Sequence, residues 1–498
     1  MQMQFQKSIL KCLRPGVQEV KNSEVTQEFR LGEGMPDIGR VLSTWGQCLL
    51  RSKQWQGDTI EVSGGVKTWT LYMPEEGSEL RVVESWLPFQ QRWSMDADEP
   101  SGMIRVVPLL RYADSRSVSS RKLMMRVGVG ILCQAFLPME AEVFSPVDLP
   151  EDVALLRRTY PLRLPVEAGE KQFLVDEEEA FPIPDSGWKI LSGVANPEVT
   201  DQRVMNDKLV FKGNVNLQLL CRNESGDIRQ TSLELPFSQF AELDAPRGAK
   251  SRADVKMGVT DLDFDLQENG QLRVKCGLVA QYLIDEEQNV EVVEDVYSPH
   301  RQIQPEIDRL ELPAILDDRM EKITAEQSLP GQTGQMISCM FLPDHPKLRH
   351  GTDGIGQELS GQIQTLYYGT EGQLLSGMTR WESDRLIPAD DSCRMYAALQ
   401  CAEEPASIVS NEKTVVSCQM LLQSRTTNTT AIPMIRELEI GEIADGEKNR
   451  PSLILRRSEG RNLWELAKEC ASTVDAIMNA NSLDGEPAEN QLLLIPVS

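Results

Sequence analysis

Apolar and polar residues alternate along several stretches of the chain, most clearly in "KLVFKGNVNLQLL" at 208–220. Apolar side chains recur there at every second position, with lysine, asparagine and glutamine between them, at Leu209, Phe211, Val215, Leu217 and Leu219. Because neighbouring side chains of a strand point to opposite faces, this period of two predicts antiparallel sheet with one buried and one wet face. "LRVKCGLVAQYLI" at 272–284 alternates in the same way.

These strands belong to an internal repeat. "MPDIGRVLS" (35–43) is echoed by "IPDSGWKILS" (183–192), and "WLPFQQRWSMD" (86–96) by "ELPFSQFAELD" (234–244). A third, more divergent copy is anchored by "LSGQIQTLYYGTEG" (359–372). The strand glycines Gly64, Gly213 and Gly361 are spaced by 213 − 64 = 149 and 361 − 213 = 148 residues. Because solenoid repeats span about 20 to 50 residues, this period predicts tandem duplication of a whole domain.

Each copy contains a shorter repeat. Leu272 follows Leu209 by 63 residues, and Leu123 follows Ile60 by the same interval, which predicts two related β-halves in each copy. A glycine repeated inside a strand marks a bulge or a close approach of two backbones.

The pattern changes near the C-terminus. In "NLWELAKECA" (462–471) apolar residues recur three and four residues apart, which predicts a helix. Ser472 is the predicted N-cap of a second helix that ends at Asn481 and Ser482. "SLILR" (452–456) and "QLLLIP" (491–496) are predicted strands on either side. The predicted fold class is therefore mainly β: three β-rich units at 1–150, 151–310 and 311–445, a polar linker at 441–451, and a small βααβ domain at 451–498.

Charge and composition limit the classes of partner that the chain is expected to bind. Among 498 residues, 51 Lys and Arg face 76 Asp and Glu, for a net charge of −25. So acidic a chain gains nothing from counterion release on a polyphosphate, so we expect no nucleic acid partner. We find no apolar run of about 18 residues and no apolar signal core at the start, so we expect no membrane span and a cytoplasmic location.

Candidate chemistry is sparse. The ten cysteines lack CxxC spacing, and three histidines, His300, His345 and His350, have no equivalents between copies. We therefore expect free buried thiols and no metal, cofactor or catalytic residue. The acidic runs at 176–179 and 285–295 are interpreted as solvated loops, and "HGTDGIG" (350–356) as a connecting turn. A hydrolase would require a deep pocket with convergent acids within one β unit.

The order "PDSGWKILS…FKGNVNLQLLCRNESG…LPF" resembles the SPOCS domain, a sporulation and coat-associated module of clostridia and their relatives. The resemblance is clearest over 182–244, weaker over 35–96, and weakest in the third copy, which lacks a clear Leu-Pro-Phe. SPOCS motifs are mainly structural and identify no site.

The C-terminal βααβ order, with "GRNLW" at 460–464 and "QLLLIP" at 491–496, resembles the LysM domain. That family usually binds N-acetylglucosamine glycans in a groove between two loops. The resemblance implies a groove at Gly460, Arg461, Asn462, Leu463, Asn481, Ser482, Leu483 and Asp484. Arg461-Asn462 and Glu489-Asn490 depart from the family pattern, and an arginine at the rim suits a carboxylate better than a neutral sugar. Trp464 is expected to pack inward.

The combination of SPOCS-like copies with one C-terminal LysM-like domain resembles the clostridial spore-coat morphogenetic proteins. They imply a non-enzymatic scaffold that docks the coat basement-layer ATPase, stage IV sporulation protein A, through its LysM domain. They also imply a protein of the mother-cell cytoplasm that is recruited to the forespore surface and spore coat. The alternative is a LysM lectin that binds peptidoglycan of the cortex or cell wall.

Overall fold

The computed structural model describes residues 5–77, 79–96, 102–147, 149–183, 187–330, 334–409, 413–443 and 451–497. Most of these residues are in strands, and the two helices among them lie near the C-terminus, so the prediction of a mainly β chain is confirmed. The described strands form seven antiparallel sheets. Six of the sheets pack as three pairs, each largely around its own hydrophobic core.

The first sheet pair contains six strands: β1 (Phe5–Arg30), β2 (Ile38–Gln56), β3 (Thr59–Pro74), β4 (Arg81–Ser94), β5 (Met103–Ser119) and β6 (Lys122–Pro146). One sheet has the order β2-β3-β4 and the other the order β1-β6-β5. The second sheet pair repeats both orders, as β8-β9-β10 and β7-β12-β11. Its strands are β7 (Ala154–Ala180), β8 (Lys189–Met205), β9 (Lys208–Arg222), β10 (Ile228–Glu242), β11 (Arg252–Leu266) and β12 (Gln271–Tyr297).

The third sheet pair follows the same plan with two strands divided. Its strands are β13 (Arg301–Pro330), β14 (Gln335–Pro343), β15 (Lys347–Gly351), β16 (Gly354–Tyr368), β17 (Leu374–Ile387), β18 (Arg394–Cys401), β19 (Ala406–Val409) and β20 (Lys413–Ile443). β14 and β15 both pair with β16, and β18 and β19 both pair with β20. The predicted boundary at 310/311 lies within β13, and the predicted linker at 441–451 lies mostly outside the described residues.

The alternating stretches form the expected strands. In β9 the apolar positions are buried and the polar ones between them are exposed or half-buried. β12 keeps this alternation as far as Cys276, but every residue from Leu278 to Asp285 is buried. There the second face of β12 packs against the other sheet pairs instead of facing water. β9 and β12, which the 63-residue interval relates, are the central strands of two separate sheets.

The repeated strand glycines lie under aromatic rings. A Cβ on Gly213 would come within 1.9 Å of the Glu198 carbonyl oxygen and 2.7 Å of the Phe237 ring. Phe237 is the direct cross-strand partner of Gly213, as Phe89 is of Gly64. The predicted close approach is therefore confirmed, and it explains the phenylalanine of the repeated Leu-Pro-Phe.

In the third sheet pair the ring over the glycine comes from other residues. Trp381 is the cross-strand partner of Gly361, and a Cβ on Gly361 would lie 2.4 Å from the Phe341 ring. The two rings meet edge to face with centroids 5.9 Å apart. The contact is thus kept although the sequence motif is not.

Of the smaller predictions, one is wrong: the acidic runs at 176–179 and 285–295 lie within strands β7 and β12 and not in solvated loops. Two others hold. The "HGTDGIG" stretch forms the hairpin turn between β15 and β16. The ten cysteines are free, and nine of them are buried. Burial raises the pKa of the Cys276 thiol to about 12, so it behaves as a small apolar side chain.

Three buried glutamines link the sheet pairs. Gln134 on β6, Gln281 on β12 and Gln423 on β20 lie on the central strands of β1-β6-β5, β7-β12-β11 and β13-β20-β18, which we call the junction sheets. The Gln281 amide reaches into the first sheet pair. Its Nε2 donates to the Val106 carbonyl oxygen at 2.7 Å, and its Oε1 accepts from the Val106 N–H at 2.8 Å. The Gln281 side chain thereby makes the two hydrogen bonds that a residue of a neighbouring strand would make to Val106.

The other two glutamines extend this arrangement into a ring. Gln423 of the third sheet pair accepts a hydrogen bond from Lys256 of the second. Gln134 of the first donates to Gln18 at 3.0 Å, and Gln18 donates to the carbonyl oxygen of Met395 in the third at 2.7 Å. These hydrogen bonds therefore connect each sheet pair to both of the others.

An apolar layer lies farther along the same strands. It is a cluster of ten buried residues contributed by all three junction sheets: Cys12, Ala141, Val143, Leu164, Val290, Val292, Leu310, Leu312, Ile432 and Met434. The ring of sheet pairs is thus held by polar contacts at one level and by hydrophobic burial at the next.

The C-terminal unit has the predicted βααβ order. It contains β21 (Leu453–Arg457), α1 (Leu463–Glu469), α2 (Val474–Asn481) and β22 (Leu492–Pro496), with β21 and β22 paired. The predicted N-cap at Ser472 is wrong, because the Thr473 hydroxyl accepts from the Ala476 N–H and Ser472 is buried beneath the turn. Adjacent hydroxyl residues offered two possible caps, and the backbone uses the second.

Candidate functional site in the C-terminal unit

The first predicted groove loop is fixed by its own backbone. Gly460 has φ +77°, a conformation that favours glycine, and it turns the chain from β21 towards α1. Asn462 is the N-cap of α1: its Oδ1 accepts from the Glu465 N–H at 2.8 Å. The Glu465 carboxylate accepts in return from the Asn462 N–H at 3.2 Å, which completes a capping box. Asn462 is therefore a structural residue.

Two other residues of this loop also have internal partners. The Arg461 guanidinium lies 2.6 Å from Glu469 Oε2, the same oxygen that Arg456 approaches at 2.8 Å. Leu463 is buried in the core of the unit. Its N–H donates to Glu486 Oε2 at 2.8 Å, so a carboxylate of the chain itself closes the gap between the two groove loops.

The second groove loop is anchored by Asn481. Its Nδ2 donates to the Leu494 carbonyl oxygen at 2.6 Å, and its Oδ1 accepts from the Leu494 N–H at 2.8 Å. Ser482 is the C-cap of α2 with φ +50°, and Leu483 donates its N–H to the Met478 carbonyl oxygen at 3.0 Å. Asp484 is exposed. The eight predicted residues thus lie on two neighbouring loops, but most of them hold those loops in place.

The unit rests on the end of β12. Trp464 Nε1 donates to Asp295 Oδ2 at 2.9 Å, and Lys468 Nζ lies 2.7 Å from Asp295 Oδ1. The Trp464 ring meets Tyr297 edge to face at 4.7 Å. Burial alone would raise the pKa of Asp295, but the hydrogen bonds from Lys468 and Trp464 hold it below its ordinary value. Trp464 packs against the hydrophobic core of the unit, as expected, and it also joins the unit to the second sheet pair.

An exposed leucine face lies on the β21/β22 ribbon. Ile454, Leu493 and Ile495 point towards the helices, and the alternate positions point to solvent. Four leucines are exposed on that outer side: Leu453, Leu455, Leu492 and Leu494. Leu455 and Leu494 are direct cross-strand partners. Sequence reasoning missed this face, although consecutive apolar residues in "LIL" and "LLLI" already require that some lie outside.

Comparison with known proteins concerns the second sheet pair. Residues 189–267 match the family model described as "SipL, SPOCS domain". The matched segment contains the sheet β8-β9-β10 and strand β11, so the chain is a SPOCS-containing protein. Because this family is sporulation-related, the match supports a role in sporulation. Searches of curated proteins and of solved structures gave no significant match. No helix in the described part of the chain is long and apolar enough to cross a membrane.

Proposed function

We propose that the chain is a non-enzymatic scaffold in assembly of the spore coat or envelope, built from three SPOCS-like units and a LysM-like unit. The observation that carries this proposal is the SPOCS match at 189–267. The strand orders of the matched sheet pair recur in the first and third sheet pairs, which supports extending the SPOCS assignment to them. The glutamine ring suits a rigid scaffold, because it fixes three units relative to one another.

The C-terminal unit is the proposed docking module for the coat basement-layer ATPase, stage IV sporulation protein A. The groove loops present Arg461 and Asp484, but Arg461 already pairs with Glu469. The leucine face presents four exposed aliphatic side chains on a short, paired ribbon. Association gains most from removing apolar surface from water, so we assign docking to the leucine face.

The experiment is a pull-down with the full-length protein against the purified ATPase and against purified peptidoglycan. We expect the wild type to retain the ATPase and Leu455→Ser/Leu494→Ser to lose at least about tenfold in affinity, because two central apolar contacts are removed. Arg461→Ala and Leu386→Ser should bind like the wild type, since Leu386 is an equally exposed leucine on β17. Retention on peptidoglycan but not on the ATPase would favour the lectin function and refute docking.

A further inference from the structure

A cavity of about 290 Å³ lies where the junction sheets meet. Gln134 of the glutamine ring and Met139 beside the apolar layer both border it. The first and third sheet pairs supply most of its wall, with Pro165 and Leu283 from the second. Its volume falls near the lower end of small-molecule sites in proteins.

Basic residues dominate the polar wall. Four arginines line the cavity, Arg14, Arg105, Arg394 and Arg425, against the single carboxylate of Glu311 among the described lining residues. This local balance is opposite to that of the whole chain, whose net charge is −25. A cavity with excess positive charge inside an acidic protein is a place where an anion is stabilised.

Buried carboxylates hold two of these arginines rigidly. Arg425 Nη2 lies 2.6 Å from Asp318 Oδ2 and Arg105 Nη1 lies 2.6 Å from Asp254 Oδ2. Asp254 is shared with Lys256 at 3.3 Å. Arg425 also lies 3.8 Å from Asp254 and 3.7 Å from Asp285, and Asp285 pairs in turn with Arg163. Three aspartates are thus shared among four cations, so they orient the guanidinium groups without cancelling all of the positive charge.

Two donors in this wall lack a partner. Arg425 Nη1 and the Tyr396 hydroxyl are buried and make no hydrogen bond to any described residue. Both residues line the cavity, and each is only 4% exposed. An unpaired buried polar group costs roughly 1–3 kcal/mol, and more when it is charged. An oxygen acceptor held in the cavity beside these residues would satisfy both donors.

We propose that this cavity binds a small oxyanion, with carboxylate or phosphate oxygens accepting from Arg425 Nη1 and the Tyr396 hydroxyl. The exposed guanidinium of Arg394 lines the same wall and attracts the anion from solvent. Because residues of all three sheet pairs form the wall, the bound anion strengthens the contacts that close the ring. This site is independent of the docking function proposed for the C-terminal unit.

The test is isothermal titration calorimetry of the full-length protein with inorganic phosphate and, in a separate experiment, with citrate. The ionic strength is kept constant with a chloride salt. We expect saturable 1:1 binding of at least one of them. Arg394→Gln and Tyr396→Phe should each weaken it about tenfold, the size of one charge-assisted hydrogen bond. Arg203→Gln, which removes the same charge from an exposed position on β8, should bind like the wild type.

Binding of phosphate alone or of citrate alone would identify the oxyanion chemistry and support the site. Circular dichroism checks that Tyr396→Phe is folded, and the exposed Arg394 gives a second variant if it is not. Absence of saturable binding by both anions would overturn the proposal, because the cavity then holds only water. Equal affinity in wild type, Arg394→Gln and Arg203→Gln would overturn it as well.

Discussion

His345 gives the sharpest prediction for acid sensitivity. Its imidazole is buried between β14 and β15, where Nε2 lies 2.9 Å from the Val107 carbonyl oxygen of the first sheet pair. Burial is the main reason that its pKa falls from 6.5 to about 4, against the opposing effect of neighbouring backbone carbonyls and Asp344. The folded protein therefore keeps this imidazole neutral at pH values where the unfolded chain protonates it.

The sign follows from proton uptake. Between about pH 6.5 and 4 the unfolded chain binds more protons at this position, so the free energy of unfolding decreases as the pH falls. Above pH 7 the imidazole is neutral in both the folded and the unfolded state, so it adds no pH dependence to the free energy of unfolding. With pKa values of 6.5 and about 4, the loss is about 2 kcal/mol at pH 5 and about 3 kcal/mol at pH 4.

His345→Gln removes the titrating group and keeps an amide that can donate to Val107. We expect guanidinium unfolding at pH 7.5 and pH 5.0 to show a smaller acid-induced loss in this variant, by about 2 kcal/mol. His350→Gln, at an exposed histidine on β15, serves as the matched control and should follow the wild type. Selective labelling of the histidine rings allows a direct check by NMR, and a His345 resonance that titrates near pH 6.5 would refute the reasoning.

Two further predictions concern the sheet pairs. Gln281→Ala leaves the Val106 N–H and carbonyl oxygen unpaired, so the free energy of unfolding should fall by about 2–5 kcal/mol. Gln172→Ala, at an exposed glutamine, should change it by under about 0.5 kcal/mol, and equal denaturation midpoints for the two variants would argue against the glutamine ring. Gly213→Val forces a side chain into the Glu198 carbonyl and the Phe237 ring, so the free energy of unfolding should fall by at least about 2 kcal/mol. Gly32→Val, at a glycine with open space around it, should leave the melting temperature nearly unchanged, and similar melting of both variants would contradict the close approach.

The local pattern was enough to predict single elements. The two-residue period identified β9, and the spacing of Leu463, Leu466 and Cys470 identified α1. These features depend on which side chains face the nearest core, and sequence periodicity records that directly. The cap at Thr473 was missed because it depends on one hydrogen bond that neighbouring Ser472 could equally have made.

Contacts between distant segments could not be predicted. Gln281 lies between Val279 and Leu283 on one face of β12, so the sequence indicates that this face is covered, but it does not identify Val106 as the partner. Trp381 takes the cross-strand position of the repeated phenylalanine while the Phe341 ring covers Gly361, and only the pairing of β16 with β14 and β17 reveals this. In the C-terminal unit, the sequence located the groove loops but not their internal bonds, so it overestimated how many of those side chains are available to a ligand.

The ring of glutamine contacts has a consequence for how the protein is made. Gln18 near the start of the chain bonds to Met395, 377 residues later, so this contact cannot form while the ribosome has translated only the first two sheet pairs. Until β18 and β20 emerge, the first junction sheet exposes polar and apolar surface that is buried in the finished protein. The nascent chain therefore passes through a period in which chaperone protection is most needed, and that period ends when the third sheet pair closes the ring.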